Sequence, residues 1–517
     1  MESDLLAGLR KPAVYSHGVG EGVDVVETHI SWVLLAGELA YKIKKPICNP
    51  FLDYSTLELR KLCCEKELQL NRRFAEELYL GVVRITRCDG GLRIEGADES
   101  EREPIEFAVK MKRFSADALL KDRLQAGHVS VTEVRQLAYR IGKFHREAAA
   151  VNRASRFGSP EVLLTEALDN CRDLMQANVA GTLDSIALLE HWTRRHFDTH
   201  RSALAERKEA GHVRECHGDL HLGNVVLWRG EWIPFDGIEF SEEYRWIDTL
   251  SDAAFTAMDF AANGRLDFCH SFINAYLEAT GDYEAVDVLQ WYLVYRVMVR
   301  GKVAALRSAQ LPVGSEDRAA AELELDHLLA LAIQFTTERR EEAQLWITYG
   351  VSGSGKTTGT EQLVQRHGAV RVRADVERKR IFATAAHGTG KEPNGEIAWD
   401  GASAAGLYSS EMTKATYQRL ADVADGLLRS GASVVVDATF LKRWERDLLH
   451  SVAKRLGVRF RILAFHADHA VLVQRIMQRM SEGMDASDAN PDVLDDQLNG
   501  IEHLDADELL FLGSVAD

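Results

Sequence analysis

A chain of 517 residues, 46% hydrophobic and 27% charged, has the balance of a globular enzyme, and it is too long for one hydrophobic core, since cores stop growing near about 250–300 residues. Its formal charge of −17 argues against nucleic acid or an anionic membrane as a general partner, although a local basic pocket could bind a small anion. The seven cysteines contain no C-x-x-C pair, which argues against a zinc ribbon or a disulfide framework and for reduced thiols.

The chain opens on M-E-S-D-L-L-A-G-L-R, acidic where a signal peptide would be basic, and no apolar run approaches the roughly 20 residues needed to span a bilayer. A cytoplasmic protein without a membrane segment is expected. Residues 25–94 read as strands (V-E-T-H-I-S-W-V-L-L, A-Y-K-I-K, Y-L-G-V-V-R-I) interrupted by a helical stretch over 55–75, and F-A-V-K-M at 107–111 adds a further strand. Helical periodicity dominates over 130–152 and 161–210. Two short strands, N-V-V-L-W and W-I-P-F, then flank polar loops, and helices resume to residue 340. The charged stretch T-E-R-R-E-E at 337–342 is the candidate domain boundary. Beyond it strands alternate with helices, the pattern of a parallel, three-layer α/β sheet.

Residues 217–224 read H-G-D-L-H-L-G-N, and F-D-G follows at 235–237. Phosphoryl transfer needs such a set: Asp219 to take or orient an acceptor hydroxyl, Asn224 and Asp236 to hold a metal on the phosphates. An upstream strand lysine should complete it. Lys42 in A-Y-K-I-K is the first choice, while Lys44 points to the same face of the strand and stays open. Its helix partner is expected to be Glu65, with Glu67 as the alternative. Together these segments resemble the aminoglycoside phosphotransferase family, a protein-kinase-like fold, over about residues 20–335. One departure is that the stretch where a glycine-rich phosphate cover belongs reads T-H-I-S at 28–31. In that family the helical lobe forms the acceptor pocket, so the stripe of Arg296, Arg300 and Arg307 would suit an anionic acceptor, with Arg300 the candidate substrate ligand; salt bridges within an acidic chain are the alternative. His145 reads as a packed helix histidine.

Residues 350–357, G-V-S-G-S-G-K-T, fit the P-loop pattern and lie between an apolar strand and a helix, as its mechanism requires. Gly350, Ser352, Gly353, Ser354, Gly355 and Thr358 would surround the phosphates, Lys356 would reach the β- and γ-phosphates, and Thr357 would hold Mg²⁺. Asp437, ending S-V-V-V-D, is a candidate metal-side carboxylate or else a helix cap. Asp375 and Arg378, one turn apart after the second strand, could orient an acceptor hydroxyl and grip an anionic part of it, or pair on a helix surface. Arg475 and Arg479 precede S-E-G-M-D-A-S-D-A-N, as arginines of a lid would, or else they line a solvated face.

Residues 344–517 resemble the small-molecule and zeta-toxin-like P-loop kinases, a group that also contains polynucleotide 5′-kinases. The whole arrangement looks like the bacterial bifunctional aminoglycoside-phosphotransferase/ATP-binding proteins. The resemblance implies an α/β multidomain chain: an N-terminal protein-kinase-like bilobal α+β domain over 1–340, its N-lobe ending near 110, and a P-loop α/β parallel-sheet domain over 341–517. It further implies ATP with Mg²⁺ at both sites and a small-molecule hydroxyl acceptor, sugars or nucleotide sugars among them. The alternatives are a polynucleotide 5′-kinase in the C-terminal domain, or an ATP sensor in one domain regulating the other.

Overall fold

The computed structural model describes residues 2–20, 22–49, 52–88, 91–96, 102–337, 342–387, 409–482 and 490–515. The chain forms two compact units, residues 1–172 with 201–259, and residues 173–200 with 260–517.

In the first unit six strands make one antiparallel sheet: β1 (Asp24–Glu27), β2 (Ser31–Ala36), β3 (Leu39–Lys44), β4 (Tyr79–Cys88), β5 (Gly91–Gly96) and β6 (Pro104–Lys112), in the order β1-β2-β3-β6-β4-β5. The strand period of two sorts their side chains. Tyr41 and Ile43 of β3 pack with Trp32, Leu34, Val83 and Ile85, whereas Ala40 packs with Val109, Met111 and Cys64. Lys42 and Lys44 share the face of Ala40, which is covered by helix α1 (Leu57–Ala75), capped by the Thr56 hydroxyl accepting from Leu59 N–H. Further along, the hairpin Val225–Trp228 with Glu231–Pro234, and the antiparallel pair Val213–Glu215 with Trp246–Asp248, bracket the loops that carry Asp219 and Asp236. The first unit thus has the protein-kinase-like lobe expected from the sequence.

The second unit holds a parallel sheet of β7 (Gln344–Tyr349), β8 (Val370–Arg373), β9 (Val434–Asp437) and β10 (Arg459–Ala464), in the order β8-β9-β7-β10. Its helices include α2 (Leu266–Thr280), α3 (Val286–Gln310), α4 (Glu316–Thr336), α5 (Lys356–His367), α6 (Ala374–His387), α7 (Ser410–Arg429) and α8 (His469–Glu482). Helices α5 and α7 pack against the sheet, which is the P-loop α/β fold. Among the described residues no helix is long and apolar enough to cross a membrane.

The compact units do not divide at residue 340. Helix α2 and its successors lie with the P-loop sheet because α2 completes that sheet's outermost strand. Asn274 accepts a hydrogen bond from the Arg371 backbone N–H at 2.6 Å, satisfying a donor on the strand edge. Glu278, fully buried, pairs with Arg373 at 3.0 Å, and His270 and Ser271 reach α5 through Gln365 and Glu361. Replacing Glu278 by Ala leaves the Arg373 guanidinium buried without its carboxylate, so Glu278→Ala is expected to destabilise the full-length chain by about 3 kcal/mol. An unchanged urea midpoint for the unfolding of the second unit would contradict this.

Candidate nucleotide sites

The first site grows from three short segments of the first unit. Strand β3 presents Lys42, whose ammonium pairs with Glu67 of α1 at 3.0 Å and contacts Asp236 directly. Burial works against the charge on Lys42, but Asp236 and Glu67 more than offset it and push the pKa up to about 12. The helix partner is therefore Glu67, and Glu65 is corrected. Glu65 lies two residues away on the half-exposed side of α1, its side chain 51% exposed, beside Lys61. A shift of two residues turns a helix by about 200°, so both glutamates cannot face the strand.

The loop 217–224 places Asp219 with its side chain 40% exposed. Asn224 donates from Nδ2 to the Asp219 carboxylate at 3.0 Å and to the Asp219 carbonyl at 2.9 Å, so the two functional side chains are fixed to each other. Gly218 sits at φ +89°, and a β-carbon there would lie 2.6 Å from the Tyr244 carbonyl oxygen. Asp236 itself is left-handed at φ +61°, an unusual state for a non-glycine residue, held by its N–H donating to Tyr79 Oη at 3.0 Å and by Gly237 N–H donating to Asn71 Oδ1 at 2.7 Å.

Sequence reading missed the groups beneath this loop. Asp252, fully buried, accepts from the backbone N–H groups of His217 and Gly218 at 3.0 and 2.9 Å and meets His145 Nε2 at 3.1 Å. Asp259 accepts from Leu222 N–H at 2.8 Å. The signal was present, because two acids seven residues apart lie on one face of the helix Thr249–Ala262, which has no other charged residue. His145 is the packed helix histidine expected, and it braces the loop. Where the glycine-rich cover was missed, the β1–β2 turn closes on Thr28: its N–H donates to the Ser31 carbonyl and its hydroxyl accepts from Ser31 N–H, both at 2.9 Å.

The second site lies where β7 runs into α5. Gly350 approaches so closely that a β-carbon would lie 2.4 Å from the Phe465 carbonyl oxygen, and Gly353 and Gly355 are both left-handed, at φ +82° and +94°. This loop opens on a cavity of about 530 Å³, which Ser352, Gly353, Gly355, Thr357 and Thr358 line on one side. Lys356 Nζ donates to the carbonyls of Gly350 and Val351 at 2.9 and 2.8 Å, and Thr357 Oγ1 donates to Asp437 at 2.7 Å. Asp375 and Arg378 from the start of α6, and Arg475 and Arg479 from α8, line the same cavity; Arg475 also donates to the Gly353 carbonyl at 3.1 Å. Arg373, not anticipated from sequence, joins them from β8. Residues 483–489, most of the expected lid, lie outside the described residues.

Three features bear on whether a triphosphate with a divalent metal fits. Desolvation holds the Lys356 ammonium below the usual lysine range despite Asp437 and Asp375, so an incoming anion would stabilise its charge. The Ser354 hydroxyl is buried in the loop without a hydrogen-bond partner among the described residues. The hydroxyl–carboxylate pair Thr357–Asp437 offers hard oxygen donors of the kind a divalent cation takes. A nucleotide with its metal fits this site, and Asn224 with Asp236 offers a comparable oxygen set in the first. Both sites carry the donor sets of an ATP-dependent phosphotransferase.

Arg300 is corrected. On α3 it lies 3.7 Å from Glu324 of α4, which also takes Arg307, and Lys302 pairs with Asp173 at 3.5 Å. The stripe is used in pairing helices, the alternative reading for a basic row in an acidic chain. Swapping the two helix glutamates in turn checks the first site: Glu67→Gln should weaken ATP binding there by roughly tenfold or more, as loss of a buried charge pair does, while Glu65→Gln should leave it unchanged. Calorimetry on the full chain reads both, and equal effects would refute the assignment.

A family model described as an AAA domain matches residues 345–504. Among solved structures, a choline/ethanolamine kinase family protein from Mesorhizobium loti is 12% identical, covering 65% of this chain and 99% of its own, at a TM-score of 0.36. A sugar kinase from Janibacter sp. is 23% identical, covering 34% of this chain and 87% of its own, at a TM-score of 0.24. Uncharacterized protein Rv2004c of Mycobacterium tuberculosis is 30% identical over 472 residues, which are 90% of this chain and 88% of the relative, and Uncharacterized protein Mb2027c of Mycobacterium bovis matches to the same extent. Matched over nine-tenths of its length, the chain belongs to the family of these mycobacterial proteins.

Proposed function

We propose that the chain is a bifunctional kinase with two separate sites, each transferring the γ-phosphoryl group of ATP to a hydroxyl of a small molecule. The observation that carries this reading is the pair of independent donor sets, Lys42 with Asp219, Asn224 and Asp236 in one unit and the loop 350–357 with Asp437 in the other. In the first site Asp219 takes the proton of the acceptor hydroxyl as its oxygen bonds to the γ-phosphorus. The bond from that phosphorus to the bridging oxygen breaks and ADP leaves. Lys42, braced by Glu67, meets the phosphates. Mg²⁺, held by Asn224 and Asp236 and in the second site near Thr357 and Asp437, would neutralise charge developing on the transferred group.

In the second site Asp375 plays the part of Asp219, and Lys356 with Arg475 and Arg479 faces the phosphates. Arg378, beside Asp375 in the same cavity, suits an acceptor that carries an anionic group, which favours phosphorylated sugars and nucleotide sugars over neutral ones. The seven free thiols suit the reducing cytoplasm.

Calorimetry should find two ATP molecules per chain in the presence of Mg²⁺ and one after Lys356→Ala. Asp219→Asn should lower one phosphotransfer activity by about 10²–10⁴ and leave the other intact, the usual cost of losing a general base. A single nucleotide bound by the native chain defeats the two-site reading. Labelling of a 5′-hydroxyl oligonucleotide, abolished by Lys356→Ala, would replace the small-molecule acceptor of the second site by a polynucleotide end.

A further inference from the structure

Strand β3 carries two lysines on its inner face, and the machinery above uses only Lys42. Lys44 is fully buried, with no exposed side-chain surface, and its ammonium contacts Glu67 Oε2 and Glu239 Oε1. The two oxygens of Glu67 are thus divided, Oε1 to Lys42 at 3.0 Å and Oε2 to Lys44. Glu239 follows Asp236 by three residues and also accepts from the Tyr54 hydroxyl, while its own carbonyl accepts from Arg245 at 3.1 Å. The Arg245 side chain is itself engaged, by Glu215 and Glu242, each at 3.1 Å. Lys44 therefore lies between α1 and the segment that follows Asp236, and it pairs with a carboxylate from each.

The charges decide what this does. Two ammonium groups, Lys42 and Lys44, stand among three carboxylates, Glu67, Glu239 and Asp236. With Lys44 answering Glu239 and half of Glu67, Lys42 remains free to reach outward to Asp236 and to the phosphates. Without it, Lys42 stands alone against three carboxylates, and the surplus negative charge repels a triphosphate. A buried carboxylate stripped of its partner is costly, and the low local polarizability makes the repulsion long-ranged. Packing alone would not require charges here, because apolar side chains in place of Lys44 and Glu239 together would fill the same space at lower desolvation cost.

We infer that Lys44 is a positioning residue of the first nucleotide site, which balances Glu67 and Glu239 so that Lys42 can engage ATP. This rests on the proposed reading of that site as an ATP site. The test uses the full chain carrying Lys356→Ala, which silences the second site, with ATP and Mg²⁺ as the calorimetric probe. Lys44→Met should weaken binding at least about tenfold, the scale of a lost buried charge pair, and the charge-balanced double variant Lys44→Met/Glu239→Gln should recover to within about threefold of the background. A merely structural lysine would lower ATP binding only by unfolding the chain, so circular dichroism of Lys44→Met under the assay conditions should show the native fold while its affinity falls. Should Lys44→Met fail to fold, a double variant that folds and binds ATP supports the inference. Undiminished binding by Lys44→Met, or a double variant as defective as the single one, overturns it. If the Lys356→Ala background binds no ATP, the failure lies with the reading of the site and not with Lys44.

Discussion

Lys42 and Lys44 hold two ammonium groups in a part of the first unit that water hardly reaches, and each is stable there only because a carboxylate from another segment comes to meet it. That requirement organises the site. It fixes the rotation of α1, since Glu67 must face β3, and it fixes the path of the chain after Asp236, since Glu239 must reach the same point. Burying a charge is expensive, and pairing it across elements makes the geometry specific even where the net gain in stability is small. The unusual left-handed backbone of Asp236 is tolerated in that frame, clamped by Tyr79 and Asn71.

The second unit meets the same problem with backbone. Its loop of glycines leads into the start of α5, and the lysine that opens this helix folds back on the carbonyls of Gly350 and Val351. Further positive charge comes from arginines on β8, α6 and α8, three elements that converge on one cavity. Two kinds of candidate nucleotide site, one built from paired side chains and one from a glycine loop at a helix start, are therefore carried by a single polypeptide.

What could be read from sequence follows from how local each device is. The strings H-G-D-L-H-L-G-N and G-V-S-G-S-G-K-T are legible because their functional groups lie within eight residues, where chain connectivity alone sets the geometry. Glu67 was only an alternative because its choice over Glu65 depends on the rotation of α1. The buried stripe of Arg60, Cys64, Glu67 and Asn71 carried that phase, spaced by three and four. Arg300 was misassigned because a row of arginines on one helix is visible in the sequence, whereas its partner Glu324 is visible only once two helices pack. Asn274 and Glu278, spaced by four on the buried part of their helix, carried the same kind of signal, but nothing in the sequence said which strand they would meet.

The cap that Asn274 and Glu278 place on the outer strand of the parallel sheet bears on how such a protein can evolve. A P-loop module with a closed edge of its own can be moved between genes as a cassette. Here the closing helix is encoded some 70 residues upstream of the sheet's first strand, inside the stretch that resembles the other enzyme. Recombination at the apparent seam would strand each half without part of its support. Such shared support favours the inheritance of both stretches as a single gene.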